Sequence, residues 1–120
     1  MAKVLVVDDE AAIRESVCDI LQAAGHETEA ASDGDEALRR LRRAPDIDLM
    51  VLDLFMPHDG MGVLDALTNG PVVIVLSAFE YRSLVEMKER FGTRICAFLT
   101  KPVPPRDLLR TVEDCLSNAA

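Results

Sequence analysis

Short apolar runs alternate with helical patterns along the whole chain, and this alternation restricts the fold more than any other feature. Residues 4–7, 49–52 and 72–76 are continuously apolar, and the first and last of these runs are rich in β-branched side chains. Such runs are typical of strands that are buried on both faces, as parallel sheets require. Residues 95–99 give a fourth run of this kind, and residues 26–31, which are of mixed polarity, fit an edge strand. The pattern therefore predicts five strands.

Helical spacing fills the segments between the predicted strands. Apolar residues recur at intervals of three and four between residues 13 and 24, and Gly25 is placed to end that helix. Ser32 or Asp33 can cap a second helix, which runs through Arg43. Three more helices are predicted: a short one around residues 63–67, one over residues 81–90, and a last one that begins at Pro104 or Pro105.

Strands and helices in alternation predict an α/β fold, with a single doubly wound (βα)5 domain that spans residues 1–120. We expect a parallel five-stranded sheet in the flavodoxin-like order 2-1-3-4-5, with right-handed crossovers and helices on both faces. A length of 120 residues and a hydrophobic content of 49% suit one such domain.

The charge balance is acidic, with 13 basic against 21 acidic residues and a formal net charge of −8. Duplex phosphates would repel most of such a surface, so we expect no direct binding to nucleic acid. The N-terminus leads straight into an apolar strand rather than a signal peptide, and the longest apolar runs fall far short of membrane-spanning length. We therefore expect a cytoplasmic protein with no membrane segment.

The three cysteines, Cys18, Cys96 and Cys115, lie far apart in apolar contexts and lack the spacing of metal ligands. We expect them to be free, buried thiols in a reducing compartment.

Acidic residues follow two strands that the predicted order makes neighbours. Asp8 and Asp9 leave the first strand, and Asp53 ends the third. Ligands of open α/β sheets bind beyond the carboxyl ends of the strands, where the strand order reverses, and here that point lies between the first and third strands. Clustered carboxylates repel one another, and Mg²⁺, which prefers oxygen ligands, would relieve the repulsion. The alternative is that Asp8 and Asp9 only cap the first helix, but this leaves Asp53 unexplained.

Two further polar residues stand at strand ends. Ser77 follows the fourth strand and offers a hydroxyl, and Lys101 follows the fifth and offers an ammonium group. A carboxylate can act as the nucleophile in phosphoryl transfer and form an aspartyl-phosphate, while cations and donors stabilise the phosphoryl oxygens. Asp53 is the best candidate for the nucleophile because it lies on the central strand. Taken singly, Ser77 would be a turn residue and Lys101 a surface lysine.

Four motifs in order carry a family resemblance: VLVVDDE at residues 4–10, DLFMP at 53–57 followed by Asp59-Gly60, LSA at 76–78, and FLTKP at 98–102. Over essentially its whole length the chain resembles the CheY-like response-regulator receiver domain of two-component signalling. Each motif is weak alone, but all four at the expected strand ends are specific.

The resemblance implies a role for each site residue. Asp53 matches the phosphoacceptor, Asp9 the acid that binds Mg²⁺ directly, and Asp8 the acid that often acts through water. The backbone carbonyl of Phe55 matches a further metal ligand. Ser77 matches the hydroxyl that contacts the phosphoryl group.

Lys101 matches the ammonium group that contacts the phosphoryl oxygens, and its bond to Pro102 resembles the cis peptide of the family. Phe98 stands where the family has an aromatic switch residue. The resemblance implies that Ser77 moves toward the phosphoryl group and Phe98 turns inward. The face made by the fourth helix, fifth strand and fifth helix then changes shape for a partner.

The implied phosphodonor is a sensor histidine kinase or a phosphotransfer protein, and the implied target is a downstream protein partner or an output domain. Dimerisation through the switching face stays an open alternative. The resemblance implies no turnover enzyme, only Mg²⁺-assisted self-phosphorylation and self-dephosphorylation.

Three alternatives compete with this interpretation. A phosphohydrolase with an aspartyl-phosphate intermediate needs an acid two residues after the nucleophile, where this chain has Phe55. A flavodoxin-like cofactor binder needs a loop rich in hydroxyls and glycine after the first strand, where this chain has Asp8-Asp9-Glu10. A degenerate receiver could act only as a docking module, although all five site residues are present.

Overall fold

The computed structural model describes residues 2–44, 46–53, 70–77, 89 and 95–118. The chain folds into one five-stranded sheet in which every pairing is parallel and the strand order is β2-β1-β3-β4-β5. The predicted α/β fold and strand order are therefore confirmed. The strands are β1 (Lys3–Val7), β2 (Glu27–Ala31), β3 (Leu49–Leu52), β4 (Val72–Ser77) and β5 (Ile95–Thr100). The described helices are α1 (Ala11–Ala23), α2 (Gly34–Arg43) and the C-terminal helix (Pro105–Asn118).

Alternate side chains of the central strands build a core on each face of the sheet. Leu5 and Val7 pack in the cluster that includes Ala37 of α2. Val4 and Val6 pack in the other cluster, with residues of α1 and the C-terminal helix. Burial on both faces explains why these strands are continuously apolar rather than alternating. The central strands are therefore fixed by packing on both faces, and polar residues lie at their ends.

Local chemistry determines where α1 ends and where α2 begins. After α1, Gly25 adopts a φ of 93°, a left-handed conformation that glycine enters without a steric penalty. The N–H groups of Gly25 and His26 donate to the carbonyls of Gln22 and Leu21, which completes a Schellman cap. At the start of α2, Asp33 Oδ1 accepts the N–H of Glu36 at 2.9 Å. Asp33, one of the two predicted caps, is thus the N-cap.

The prediction of three free cysteine thiols is wrong for two of them. Cys96 of β5 and Cys115 of the C-terminal helix form a disulfide, with a Cα–Cα distance of 5.9 Å. Cys115 is buried but Cys96 is exposed, so the expected burial also fails for Cys96. Only Cys18 is a free thiol among the described cysteines, and it is half-buried. Spacing in the sequence could not show this pair because it forms across two elements.

Two predicted helices fall mainly outside the described residues. The helix predicted around residues 63–67 lies wholly outside them, and of residues 81–90 only Glu89 is described, in helical conformation. Within the described part of the chain, no helix has the length and apolar character needed to cross a bilayer.

Candidate functional site

Two aspartates extend neighbouring strands at the carboxyl edge of the sheet. The N–H of Asp8 donates to the carbonyl of Ala31 at 3.1 Å, and the N–H of Asp53 donates to the carbonyl of Val7 at 2.9 Å. Because β1 and β3 are paired with Val7 opposite Leu52, the residues that follow them come side by side. Both aspartates are almost completely buried, with 2% of Asp8 and 4% of Asp53 exposed.

Lys101 bridges the two buried carboxylates. Its Nζ lies 3.0 Å from Asp8 Oδ2 and 3.3 Å from Asp53 Oδ2, and it is therefore a hydrogen-bond donor and an ion-pair partner to both. The lysine side chain keeps only 16% of its surface exposed. The structure therefore brings together three of the predicted site residues, from β1, β3 and the segment after β5.

Opposing influences act on the pKa of Lys101. Burial is the largest influence and lowers the pKa, because it disfavours the charged ammonium group. The hydrogen bond to Asp8 and the negative charges of Asp53 and Asp8 act in the other direction and together outweigh burial. The pKa of Lys101 is therefore raised above its ordinary value of 10.5, and the side chain is a cation at neutral pH.

An acidic group at the start of α1 provides oxygen ligands for a cation. Asp8, Asp9 and Glu10 each offer one carboxylate oxygen, and these three oxygens lie within 4.8 Å of one another. Asp9 and Glu10 are exposed, while Asp8 is buried and its Oδ1 accepts the N–H of Glu10 at 2.9 Å. A cluster of hard oxygen donors that is open to water on one side fits Mg²⁺, which takes carboxylate oxygens and keeps several waters.

Arg14 contacts this site but was not predicted from the sequence. Its Nη1 donates to the backbone carbonyl of Asp8 at 2.7 Å. This bond orients the peptide that joins Asp8 to Asp9, and it places a positive charge beside the acidic group. No spacing rule signals this contact, because it joins a side chain to a backbone carbonyl six residues earlier in the chain.

Of the remaining predicted site residues, some lie in described strands and one lies outside the described residues. Ser77 is the last residue of β4 and pairs with Thr100, which precedes Lys101 in the chain. Phe98 of β5 is half-buried and packs against the core cluster on the α2 face of the sheet. The Lys101–Pro102 peptide bond is cis, the geometry that the family resemblance implied. Phe55, the predicted backbone ligand, lies outside the described residues.

Comparisons with known proteins agree with this geometry. Residues 4–113 match the family profile of the response regulator receiver domain. The chain is 34% identical over 119 residues to the transcriptional regulatory protein PdtaR of Mycobacterium tuberculosis, an alignment that covers 96% of this chain and 57% of PdtaR. It therefore spans little more than half of that relative.

Solved structures of similar proteins share the whole fold. A CheY-like receiver domain protein from Methanospirillum hungatei superposes with a TM-score of 0.87 at 28% identity, covering 98% of this chain and 95% of that one. Chemotaxis protein CheY4 of Vibrio cholerae superposes with a TM-score of 0.86 at 32% identity, covering 96% of this chain and 98% of that one. The chain belongs to the response regulator receiver domain family, and it is a receiver domain of two-component signalling.

Proposed function

We propose that Asp53 accepts a phosphoryl group from a phosphohistidine on a sensor histidine kinase or a phosphotransfer protein. The observation that carries this proposal is the contact of one lysine with two buried carboxylates. Lys101 Nζ lies within 3.3 Å of an oxygen of Asp53 and within 3.0 Å of one of Asp8. A buried carboxylate beside a cation and a second acid is equipped to act as a nucleophile toward phosphorus.

The transfer needs little from the protein beyond positioning and charge. A carboxylate oxygen of Asp53 forms the new bond to phosphorus while the bond from phosphorus to the imidazole nitrogen of the donor breaks, and the electron pair leaves with the imidazole. The ammonium group of Lys101 stands where it can stabilise the negative oxygens of the phosphoryl group as it moves. Family membership and the strand-end position of Ser77 support a similar contact from its hydroxyl.

Mg²⁺ is the cofactor that this proposal requires. Asp8, Asp9, Asp53 and the backbone carbonyl of Phe55 would hold it, in line with the oxygen cluster at Asp8 and Asp9. When bound, the ion supplies positive charge that offsets the carboxylates and the phosphoryl oxygens. Asp8 has a second task, since its side chain also binds Lys101 and so links the cation site to the phosphoryl site.

Signal output is proposed to pass through β5 and its neighbours. Ser77 and Phe98 would act as the switch, and the face formed by the predicted fourth helix, β5 and the C-terminal helix would bind a downstream protein or an output domain. Packing of Phe98 against the core is compatible with a switch that works by filling space. We further propose a cytoplasmic protein that binds no nucleic acid directly and turns over no free substrate, with dimerisation through this face left open.

Phosphorylation of the purified protein with acetyl phosphate tests the proposal. Wild type with Mg²⁺ should gain the mass of one phosphoryl group, and removal of Mg²⁺ with a chelator should prevent the gain. Asp53→Asn should gain nothing, whereas the matched control Asp19→Asn, an exposed residue of α1, should behave as wild type. Beryllofluoride with Mg²⁺ should shift amide resonances of β5 and the C-terminal helix in the wild type and in Asp19→Asn, but not in Asp53→Asn.

Two outcomes would contradict the proposal. Phosphorylation that persists in Asp53→Asn would move the acceptor elsewhere. Steady hydrolysis of a phosphomonoester over many cycles would favour the phosphohydrolase instead.

A further inference from the structure

An irregularity in the ladder between β4 and β5 leaves one residue of β5 without a counterpart. Val73 pairs with Ile95, and the next residue of β4, Ile74, pairs with Ala97. Cys96 is therefore the extra residue of a bulge, a feature that bends a strand and re-aims a side chain. In a regular strand, neighbouring side chains point to opposite faces of the sheet. Here Ala97 packs on the face that carries the C-terminal helix, and the bulge lets Cys96 reach that helix as well.

The two sulfur positions differ sharply in exposure. Cys115 is 2% exposed and packs in the core cluster with Leu108 and Val112. Cys96 is exposed on the edge strand. Their Cα atoms are 5.9 Å apart, which lies in the range that a disulfide spans without backbone movement. An exposed cysteine with a buried partner in bonding range has the arrangement of an attacking thiol and a resolving thiol.

Cys18 provides an internal contrast. It lies in α1, it is half-buried and it has no disulfide partner. Burial is the main cause that raises the pKa of the Cys18 thiol, so little reactive thiolate is present at neutral pH. The chain therefore combines one disulfide-bonded pair with one poorly reactive thiol.

We propose that Cys96 and Cys115 are a reversible redox modification site, a second covalent input besides phosphorylation. A low-molecular-weight disulfide is the oxidant. The Cys96 thiolate attacks one of its sulfurs and releases the first small thiol. The Cys115 thiolate then attacks the Cys96 sulfur and releases the second. Two protein thiols and one small disulfide become one protein disulfide and two small thiols, so two electrons leave the protein, and the two protein thiol protons end on the released thiols.

The position of the site relates it to signal output, and this part rests on the proposed function. In a reducing cytoplasm, most disulfides are transient or redox-sensing. A disulfide between Cys96 and Cys115 would therefore be a regulatory bond rather than a permanent cross-link. The bond joins the first half of β5 to the last turns of the C-terminal helix, two elements of the proposed output face. Along β5, Cys96 lies five residues from Lys101, roughly 17 Å of extended strand. Oxidation therefore fixes the output face from the end remote from the phosphoryl site.

Equilibration in glutathione buffers of graded redox ratio tests this inference. In oxidising buffer the wild type should become about 2 Da lighter. When the oxidised protein is denatured and alkylated, only Cys18 should be labelled. Protein from reducing buffer should be labelled at all three cysteines. The cysteines are 19 residues apart, and closing a loop of that size should raise Tm by roughly 10 °C on oxidation. Hydrogen exchange in the C-terminal helix should slow at the same time.

Variants separate the redox site from the rest of the molecule. Cys18→Ser should keep the full redox response, whereas Cys96→Ser and Cys115→Ser should each lose it. Cys96→Ser changes an exposed side chain, so phosphorylation by acetyl phosphate should persist in it and show that it is folded. Asp53→Asn should lose phosphorylation but keep the redox response, so failure of one proposal leaves the other testable.

The inference is overturned by any of three results. One is a wild-type Tm that does not depend on redox ratio. The second is a disulfide that glutathione reduces only after unfolding, which would make it a permanent cross-link. The third is a redox response that survives in Cys96→Ser.

Discussion

Replacement of Lys101 by methionine tests most directly how the ammonium group stabilises the two buried carboxylates. Methionine keeps a long unbranched side chain but removes the ammonium group that contacts Asp8 and Asp53 at 3.0 and 3.3 Å. Two almost fully buried carboxylates would then face each other without the cation between them. We expect the variant to be less stable than the wild type in the absence of Mg²⁺, and to regain stability when Mg²⁺ is added.

The size of the effect follows from the two contacts. Each is worth about 5 kcal/mol of attraction at an effective dielectric constant of about 20. The desolvation of the ammonium group and the ordering of its side chain offset much of this, and removal of one partner from a buried ion pair costs about 3–5 kcal/mol. Because 16% of the Lys101 side chain is exposed and solvent screens it in part, we expect a loss of about 2–3 kcal/mol.

Mg²⁺ should stabilise the variant more than the wild type. The ammonium group of Lys101 and the metal ion would share the negative charge of Asp8 and Asp53, and the two cations would repel each other, so removal of the ammonium should tighten Mg²⁺ binding. A tenfold change in affinity corresponds to about 1.4 kcal/mol of additional stabilisation once the metal is in excess of its Kd. We therefore expect Mg²⁺ at about 10 mM to restore roughly half of the stability that the variant loses.

Urea denaturation followed by circular dichroism, with and without Mg²⁺, measures both quantities. Lys3→Met is the matched control, since Lys3 lies at the amino end of β1, away from the candidate site, and its half-buried side chain pairs with Glu29 and with the exposed Asp46. It should lose far less stability and show the Mg²⁺ response of the wild type. The reasoning is refuted if Lys101→Met is as stable as the wild type without metal, or if Mg²⁺ stabilises both proteins equally.

Three further predictions concern local contacts and pH. Asp33→Ala removes the cap of α2 and should lower the free energy of unfolding by about 1 kcal/mol in urea titrations; a loss within error of zero contradicts the capping role. His26→Leu leaves the buried N–H of Ala2, which donates to His26 Nδ1 at 3.2 Å, without its acceptor. The expected loss is about 1–3 kcal/mol, with faster hydrogen exchange at the start of β1 as the specific signature. Finally, the raised pKa of Lys101 means that its stabilising contribution is complete below pH 10.5, the ordinary value, and is lost as pH rises through its higher folded-state value. The difference in unfolding free energy between wild type and Lys101→Met should stay constant from about pH 8 to about pH 10 and shrink at higher pH; a decline that begins below pH 9 would count against it.

The buried strands were predictable because each of them must be apolar on both faces. Leu49–Leu52 was predicted with its observed bounds, and β1, β4 and β5 each extend by a single residue beyond the prediction. The edge strand β2 was harder, since only one of its sides pairs with the sheet and its composition is mixed. The helix ends were also predictable from residue type. Gly25 ends α1 in a left-handed conformation, and Asp33 caps the start of α2.

The part of the candidate site that lies at strand ends was predictable from the sequence. Asp8, Asp53 and Lys101 meet because the sheet order brings their strands close together. The contact of Arg14 with the Asp8 carbonyl depends on a side-chain conformation that sequence spacing does not reveal. The Cys96–Cys115 bond was missed for a related reason, since it depends on a bulge that shifts the register of β5 by one residue.

The two buried aspartates are attached to the sheet through main-chain hydrogen bonds, from Asp8 to Ala31 and from Asp53 to Val7. Their positions are therefore set by backbone hydrogen bonds, which do not depend on the identity of the side chain. Only the carboxyl groups are specific to the site. Connecting segments on the same edge could change in length or composition while the spacing of these two acids stayed the same. A scaffold of this kind can be given new partners by exchange of its loops, without rebuilding the proposed phosphoryl site.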